Sequence, residues 1–155
     1  MKVGDVMKKE RERKKLTIDD VAGRLGLSRD QYEEIEAGRS PAEEWGPKLA
    51  LIAIKLQTPT SRLIATSGQS KDANKTKGQC GKLITSRREI RMLSLNDLAG
   101  KIEVESSEMD LIESGESPLE NWAPLLLAFA KVIDQPIFNL FYPCGLPLNE
   151  LTDYP

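Results

Sequence analysis

The sequence predicts an all-α protein built from two tandem five-helix domains joined by a flexible linker. Slid by 77 positions, the chain matches itself without a gap, with 19 of 61 positions identical from Gly4 to Ile64. Apolar residues recur at helical spacing between Gly, Pro and capping signals, and no stretch alternates as a strand would. Composition agrees: 30% of the 155 residues are charged and only 5% are aromatic, the profile of a soluble, largely helical chain.

The repeat is carried by punctuation as much as by core residues. Gly4 aligns with Gly81, Arg11-Glu12 with Arg88-Glu89, Leu16 with Leu93, and Asp20-x-Ala22-Gly23 with Asp97-x-Ala99-Gly100. Ile35-Glu36-x-Gly38-x-Ser40-Pro41 aligns with Ile112-Glu113-x-Gly115-x-Ser117-Pro118, and Glu43-x-Trp45-x-Pro47 with Glu120-x-Trp122-x-Pro124. Copy one is assigned to residues 1–65 and copy two to 80–142. Residues 66–79, TSGQSKDANKTKGQ, are polar and hold no large apolar side chain, as a flexible linker does. The tail 143–155 carries Pro143, Pro147 and Pro155 among apolar residues, so it is no regular helix, and it is apolar enough to dock on its own domain or on a partner.

Within copy one, Val3 to about Lys14 reads as a charged helix with a narrow apolar side. Thr17-x-x-Asp20 resembles a capping box and opens a second helix, 18–25, burying Val21, Ala22 and Leu25. Gly26 then supplies a turn that takes positive φ. Ser28-x-x-Gln31 is a full capping box and starts a third helix, 28–36, with Tyr32 and Ile35 inward and Gly38 beyond its end. Pro47 suits the first turn of a fourth helix, 47–56, and Pro59 opens a short fifth helix ending near Leu63-Ile64.

Leu16-Thr17-Ile18-Asp19-Asp20-Val21-Ala22, then Leu25-Gly26-Leu27-Ser28, then Ile35-Glu36-x-Gly38-x-x-Pro41 resembles the Cro/C1 (lambda-repressor-like, XRE) helix-turn-helix family. The resemblance covers nearly all of both copies. It implies that the third helix enters the major groove of duplex DNA. It also implies DNA contacts at Ser28, Arg29, Gln31, Arg39, Lys14, Lys15 and Arg24 in copy one. A glutamine that often grips phosphate at the start of the second helix is replaced by Ile18 and Leu95.

Charge separates the copies. Residues 1–64 hold thirteen cations and eleven anions, whereas 78–141 hold six and ten. DNA affinity rests largely on cations displacing condensed counterions. Copy one offers Lys8, Lys9, Arg11, Arg13, Lys14 and Lys15 on and after its first helix, with Arg24 and Arg39 near the third. The matching reading face of copy two, Glu105, Ser106, Ser107, Asp110 and Leu111, has no cation. Copy two also puts Glu103 where copy one has Gly26, and Glu105 at the N-cap in place of Ser28. Its core positions stay apolar, so its Gly and Pro punctuation is expected to serve folding and not base reading.

The chain is expected to be a DNA-binding transcriptional regulator acting mainly through copy one. The alternative is an interaction module or accessory subunit, in which both folds hold a protein partner or a second copy of the chain. Trp45, Trp122, Tyr142 and Leu146 are its candidate docking residues. The ordinary role of both tryptophans is to cap the core. No histidine is present, and Cys80 and Cys144 lack metal-ligand spacing, so no metal, cofactor or enzymatic activity is expected. A cytoplasmic location is expected, because no apolar run reaches membrane-spanning length and the polar start is no signal peptide.

Overall fold

The computed structural model describes residues 1–144. The described residues are all-α, with helices α1 (Val3–Arg13), α2 (Ile18–Leu25), α3 (Arg29–Glu36), α4 (Ala42–Leu56), α5 (Gln79–Ile90), α6 (Leu95–Lys101), α7 (Ser106–Glu113) and α8 (Leu119–Val132). In each repeat the expected fifth helix is a single 3-10 turn, Thr60–Leu63 and Ile137–Leu140.

Local chemistry sets the boundaries. Thr17 and Asp20 form both bonds of a capping box, Thr17 Oγ1 accepting from the Asp20 N–H and Asp20 Oδ2 from the Thr17 N–H, each at 3.0 Å. Ser28 and Gln31 do the same at the head of α3. Gly26 (φ 71°) ends α2, and its counterpart Glu103 is forced to φ 59°, which costs a residue with a Cβ about 1 kcal/mol relative to glycine. Glu105 stands at the N-cap of α7 and makes no capping bond.

The expected start of α4 at Pro47 is corrected: the helix begins at Ala42, and Pro47 lies inside it, as Pro124 lies inside α8. Ser40 Oγ takes the Ala42 N–H, and the Ser40 and Pro41 carbonyls take those of Glu43, Glu44 and Trp45. The Ser-Pro pair therefore opens the helix. The inner proline costs one bond, because its nitrogen has no hydrogen for the Glu43 carbonyl. Residues 42–46, left outside the expected helix, form its first turn and more.

Many residues shared by the two repeats make the same contacts twice. Gly4 sits where α1 crosses the end of α3, and a Cβ there would lie 2.2 Å from the Ile35 carbonyl oxygen. At Gly81 it would lie 2.5 Å from that of Ile112. Arg11 is buried, donating to Glu36 at 2.6 Å and to the Leu16 carbonyl at 2.9 Å. Arg88 binds Glu113 at 2.8 Å and the Leu93 carbonyl at 2.8 Å. Glu43 accepts the N–H groups of Val3 and Gly4, and Glu120 those of Cys80 and Gly81, so each carboxylate caps the first helix of its repeat. Glu120 is held above the ordinary carboxylate range by burial, a rise opposed by the Gly81 and Cys80 N–H groups.

The repeats share one core. α4 packs along α8, α2 against α8, and α4 against α6. Tyr32 on α3 stacks on Phe129 of α8, with ring centroids 6.5 Å apart. Phe141, fully buried, reaches the site of Gly46, where an added Cβ would lie 3.0 Å from its ring. Arg91 donates to the carbonyls of Leu56 and Gln57 at the end of α4, where a cation also suits the helix dipole.

The segment expected to be a flexible linker is folded. It forms a 3-10 turn at Ser70–Asp72 beside α8, and α5 already begins at Gln79. Gln79 Nε2 ties it down by donating to the Ile64 and Asp72 carbonyls at 3.2 and 2.9 Å, and Ala73 packs on the core. Gln79, one of the polar side chains that suggested a flexible linker, supplies both bonds.

Candidate nucleic-acid interface

The first repeat exposes one side of α3 together with the turns that flank it. Ser28, Arg29, Gln31, Arg39, Lys14, Lys15 and Arg24 are all exposed. Ser28 and Gln31 are engaged in the cap of α3. Arg29 bridges Glu33 at 2.7 Å and Asp19 at 3.1 Å, and its pKa is raised by the bond to Glu33 first and to Asp19 second. Arg39 makes two bonds to Glu34, which hold that carboxyl below its ordinary range. Arg24, in the last turn of α2, lies in the field of Asp20, whose carboxyl is lowered chiefly by the Thr17 N–H. Lys14 and Lys15 follow the end of α1 and make no ion pair among the described residues. Arg11, counted from sequence among the free cations, is corrected: its pairing with Glu36 makes it part of the core.

The surface of the first repeat thus holds its two guanidinium groups nearest α3 in exposed pairs with carboxylates. Such pairs contribute little to stability, and they can exchange partners when a phosphate arrives. The N-terminal turn of α3 is exposed, with Ser28 as its cap, Arg29 beside it and one carboxylate, Asp30, within the turn.

The second repeat presents the same shape with different chemistry. Glu105, Ser106, Ser107, Asp110 and Leu111 are exposed as expected, and Leu111 is 46% accessible. At the positions of Arg13 and Lys15 stand Ile90 and Met92, 65% and 91% accessible. Arg29 and Arg39 are replaced by Ser106 and Glu116. Glu108, in the first turn of α7, binds Lys48 of α4, so the cation paired at the head of that helix comes from the other repeat, whereas Arg88 of its own repeat is paired with Glu113 at the far end.

Residues 2–51 match the family model of a helix-turn-helix domain. That span runs from the start of α1 through most of α4. No curated protein and no solved structure matches the chain. Within this helix-turn-helix domain, α2 and α3 form the bihelical unit, with Gly26 at its turn.

The proposed docking residues divide. Trp45 is only 7% exposed; its ring lies in the core beneath the Lys48 ammonium, 4.5 Å from the ring centroid, and offers a partner little surface. Trp122 is half-buried against the same core. The side chain of Tyr142 and all of Leu146 lie outside the described residues, as do 145–155 of the tail.

Sequence reasoning missed Lys48 and Arg91, which join the repeats. Lys48 had a faint signal: it interrupts the apolar side of its helix four residues after Glu44, and its counterpart is Leu125. Burial works against its charge, but Glu108 and Glu44 outweigh this and its pKa is raised. Both thiols are free, and burial pushes each upward, away from reactivity. Among the described residues no three metal-ligating side chains converge, and no helix is long and apolar enough to cross a membrane.

Proposed function

We propose that the chain is a cytoplasmic DNA-binding regulator of the lambda-repressor-like type, two tandem copies of one helix-turn-helix fold, in which copy one contacts duplex DNA. α3 enters the major groove, with Arg29 and Gln31 toward base edges, and Ser28, Arg24, Arg39, Lys14 and Lys15 toward phosphates. The observation that carries this reading is a coincidence. The helix-turn-helix match falls on the repeat whose α3 side keeps its cations. Copy two supplies a rigid buttress through α8.

The test is binding of the full chain to duplex DNA across a salt series. About four to six phosphate contacts correspond to a slope of log K against log salt of roughly −4 to −5. A slope near zero, or no binding at low salt, removes the proposal. Lys14→Ala and Lys15→Ala should each lower the slope by about one.

A second reading is favoured by the accessible Leu111, Ile90 and Met92: the surface of copy two holds a protein partner. Co-purification at moderate salt, lost on Leu111→Glu and Met92→Glu, supports it. Recovery of the chain alone removes it.

A further inference from the structure

We propose that the DNA target is a single, non-palindromic half-site bound by one chain. The proposal rests on the DNA-binding reading above and specifies its substrate. Helix-turn-helix proteins that read palindromes do so with two equivalent faces related by a two-fold axis. Here the second repeat packs on the first through α4, α6 and α8 but lacks the equivalent face.

The first argument is occupancy. α4 is buried on nearly every side: Trp45, Gly46, Leu49, Ile52, Ala53 and Leu56 are all in the shared core. α8 covers α4, Phe129 covers Tyr32, and Phe141 covers Gly46. A second chain cannot associate through this face without displacing the chain's own second repeat.

The second argument is chemistry. The N-terminal turn of a reading helix is where phosphate oxygens meet free N–H groups. At α7 that turn is flanked by Glu103, Glu105 and Glu108, and Glu105 is the N-cap itself. Farther along, the solvent face holds Ser107, Asp110 and Leu111. Glu103 and Glu105 make no ion pair among the described residues and oppose a phosphate at that spot, and the cation at Glu108 is Lys48 of the first repeat, already paired with it. Glu108 is also tied to Lys48, which fixes α7 to the first repeat.

The experiment uses the full chain and a duplex library with a randomised core, selected at low salt. The selected consensus should be one contiguous block of about four to six base pairs without inverted symmetry, and native mass spectrometry should show one chain per duplex. A duplex carrying that block twice, inverted and about 10 base pairs apart centre to centre, should fill with two chains independently. Arg29→Ala should weaken binding at least tenfold, and Asp110→Asn should leave it within threefold. A two-fold-symmetric consensus, cooperative filling of the inverted duplex, or a larger change at Asp110 overturns the half-site inference and leaves DNA binding standing. Failure to select any duplex, with no salt-dependent binding, overturns the DNA-binding reading and this proposal with it.

Discussion

Replacing Phe141 with alanine tests whether the two repeats are one folding unit. Phe141 belongs to the second repeat by sequence, yet it is fully buried and its ring meets Gly46 of the first. A buried phenylalanine removes about 150–200 Å² from water, which at roughly 25 cal/mol per Å² is about 4–5 kcal/mol. Truncation in a packed core costs about 3–5 kcal/mol by a separate route, so the two estimates agree. That is a large share of the roughly 5–15 kcal/mol that holds a domain together. With an m-value of about 2 kcal/mol per M of urea, the midpoint should fall by about 2 M. Each repeat has one tryptophan, so the assay can watch the repeats separately. Trp45 alone, in a Trp122→Phe background, reports the first, and Trp122 alone, in a Trp45→Phe background, reports the second. Phe141→Ala should shift both midpoints by the same amount relative to their own parents. If the Trp122 transition falls and the Trp45 transition stays, the repeats unfold separately and the shared-core argument is wrong.

The other expected outcomes concern single positions. Gly4→Ala and Gly81→Ala should destabilise by more than the ~1 kcal/mol gained in helix propensity, because the new Cβ meets backbone carbonyls; Gly23→Ala and Gly100→Ala, open to solvent, should instead gain about 0.5–1 kcal/mol in thermal melts. Glu105→Ser should restore a cap to α7 and stabilise by about 1 kcal/mol, and no gain in urea unfolding would show that the end of α7 frays already. Tyr32→Phe should change stability by no more than about 1 kcal/mol, since the stack on Phe129 survives and the buried hydroxyl lies beside the Arg11–Glu36 pair without a well-formed hydrogen bond to it; a larger loss would mean that the hydroxyl is bonded there in solution. A double-mutant cycle on Lys48→Ala and Glu108→Ala should give a coupling of about 0.5–1 kcal/mol that shrinks with added salt.

The parts of the fold legible in the sequence were those decided within a few residues. Thr17-x-x-Asp20 and Ser28-x-x-Gln31 fixed the heads of two helices, and Gly26 and Gly38 fixed their ends, because caps and left-handed turns are local interactions. Pro47 misled for an equally local reason. Proline favours a first turn, but Ser40 and Pro41 had already opened the helix, and nothing in the residue itself distinguishes the first turn from the second. At the interface, residue types were legible and their pairings were not. Arg29 and Arg39 were named from position, but that Asp19, Glu33 and Glu34 hold them depends on side-chain directions across a turn. Arg11 looked like one more cation in a basic run, and only the crossing of α1 over α3 makes it half of a buried pair.

Identity between the repeats marks the contacts made inside each one. The contacts between repeats fall largely where the repeats differ. Gly4, Arg11, Glu36 and Glu43 recur unchanged, and each acts within its own repeat. The joining residues do not recur: Tyr32 is matched by Met109, Phe129 by Ile52, Phe141 by Ile64, Gly46 by Ala123, Lys48 by Leu125 and Glu108 by Gln31. A true two-fold dimer must be self-complementary, so any charge placed on one side appears on the other as well. Two repeats on one chain escape that requirement. A lysine can face a glutamate at one end of the interface while leucine and glutamine stand at the matching end, and a phenylalanine can fill the space that a glycine leaves on only one side. The same freedom applies to the reading faces. Once the second repeat is held in place by α4 and α8 and not by a shared palindrome, carboxylates at the head of α7 no longer oppose a contact the chain needs. Asymmetry at the interface and asymmetry at the surface therefore have one physical origin. A chain with the first should read an asymmetric site.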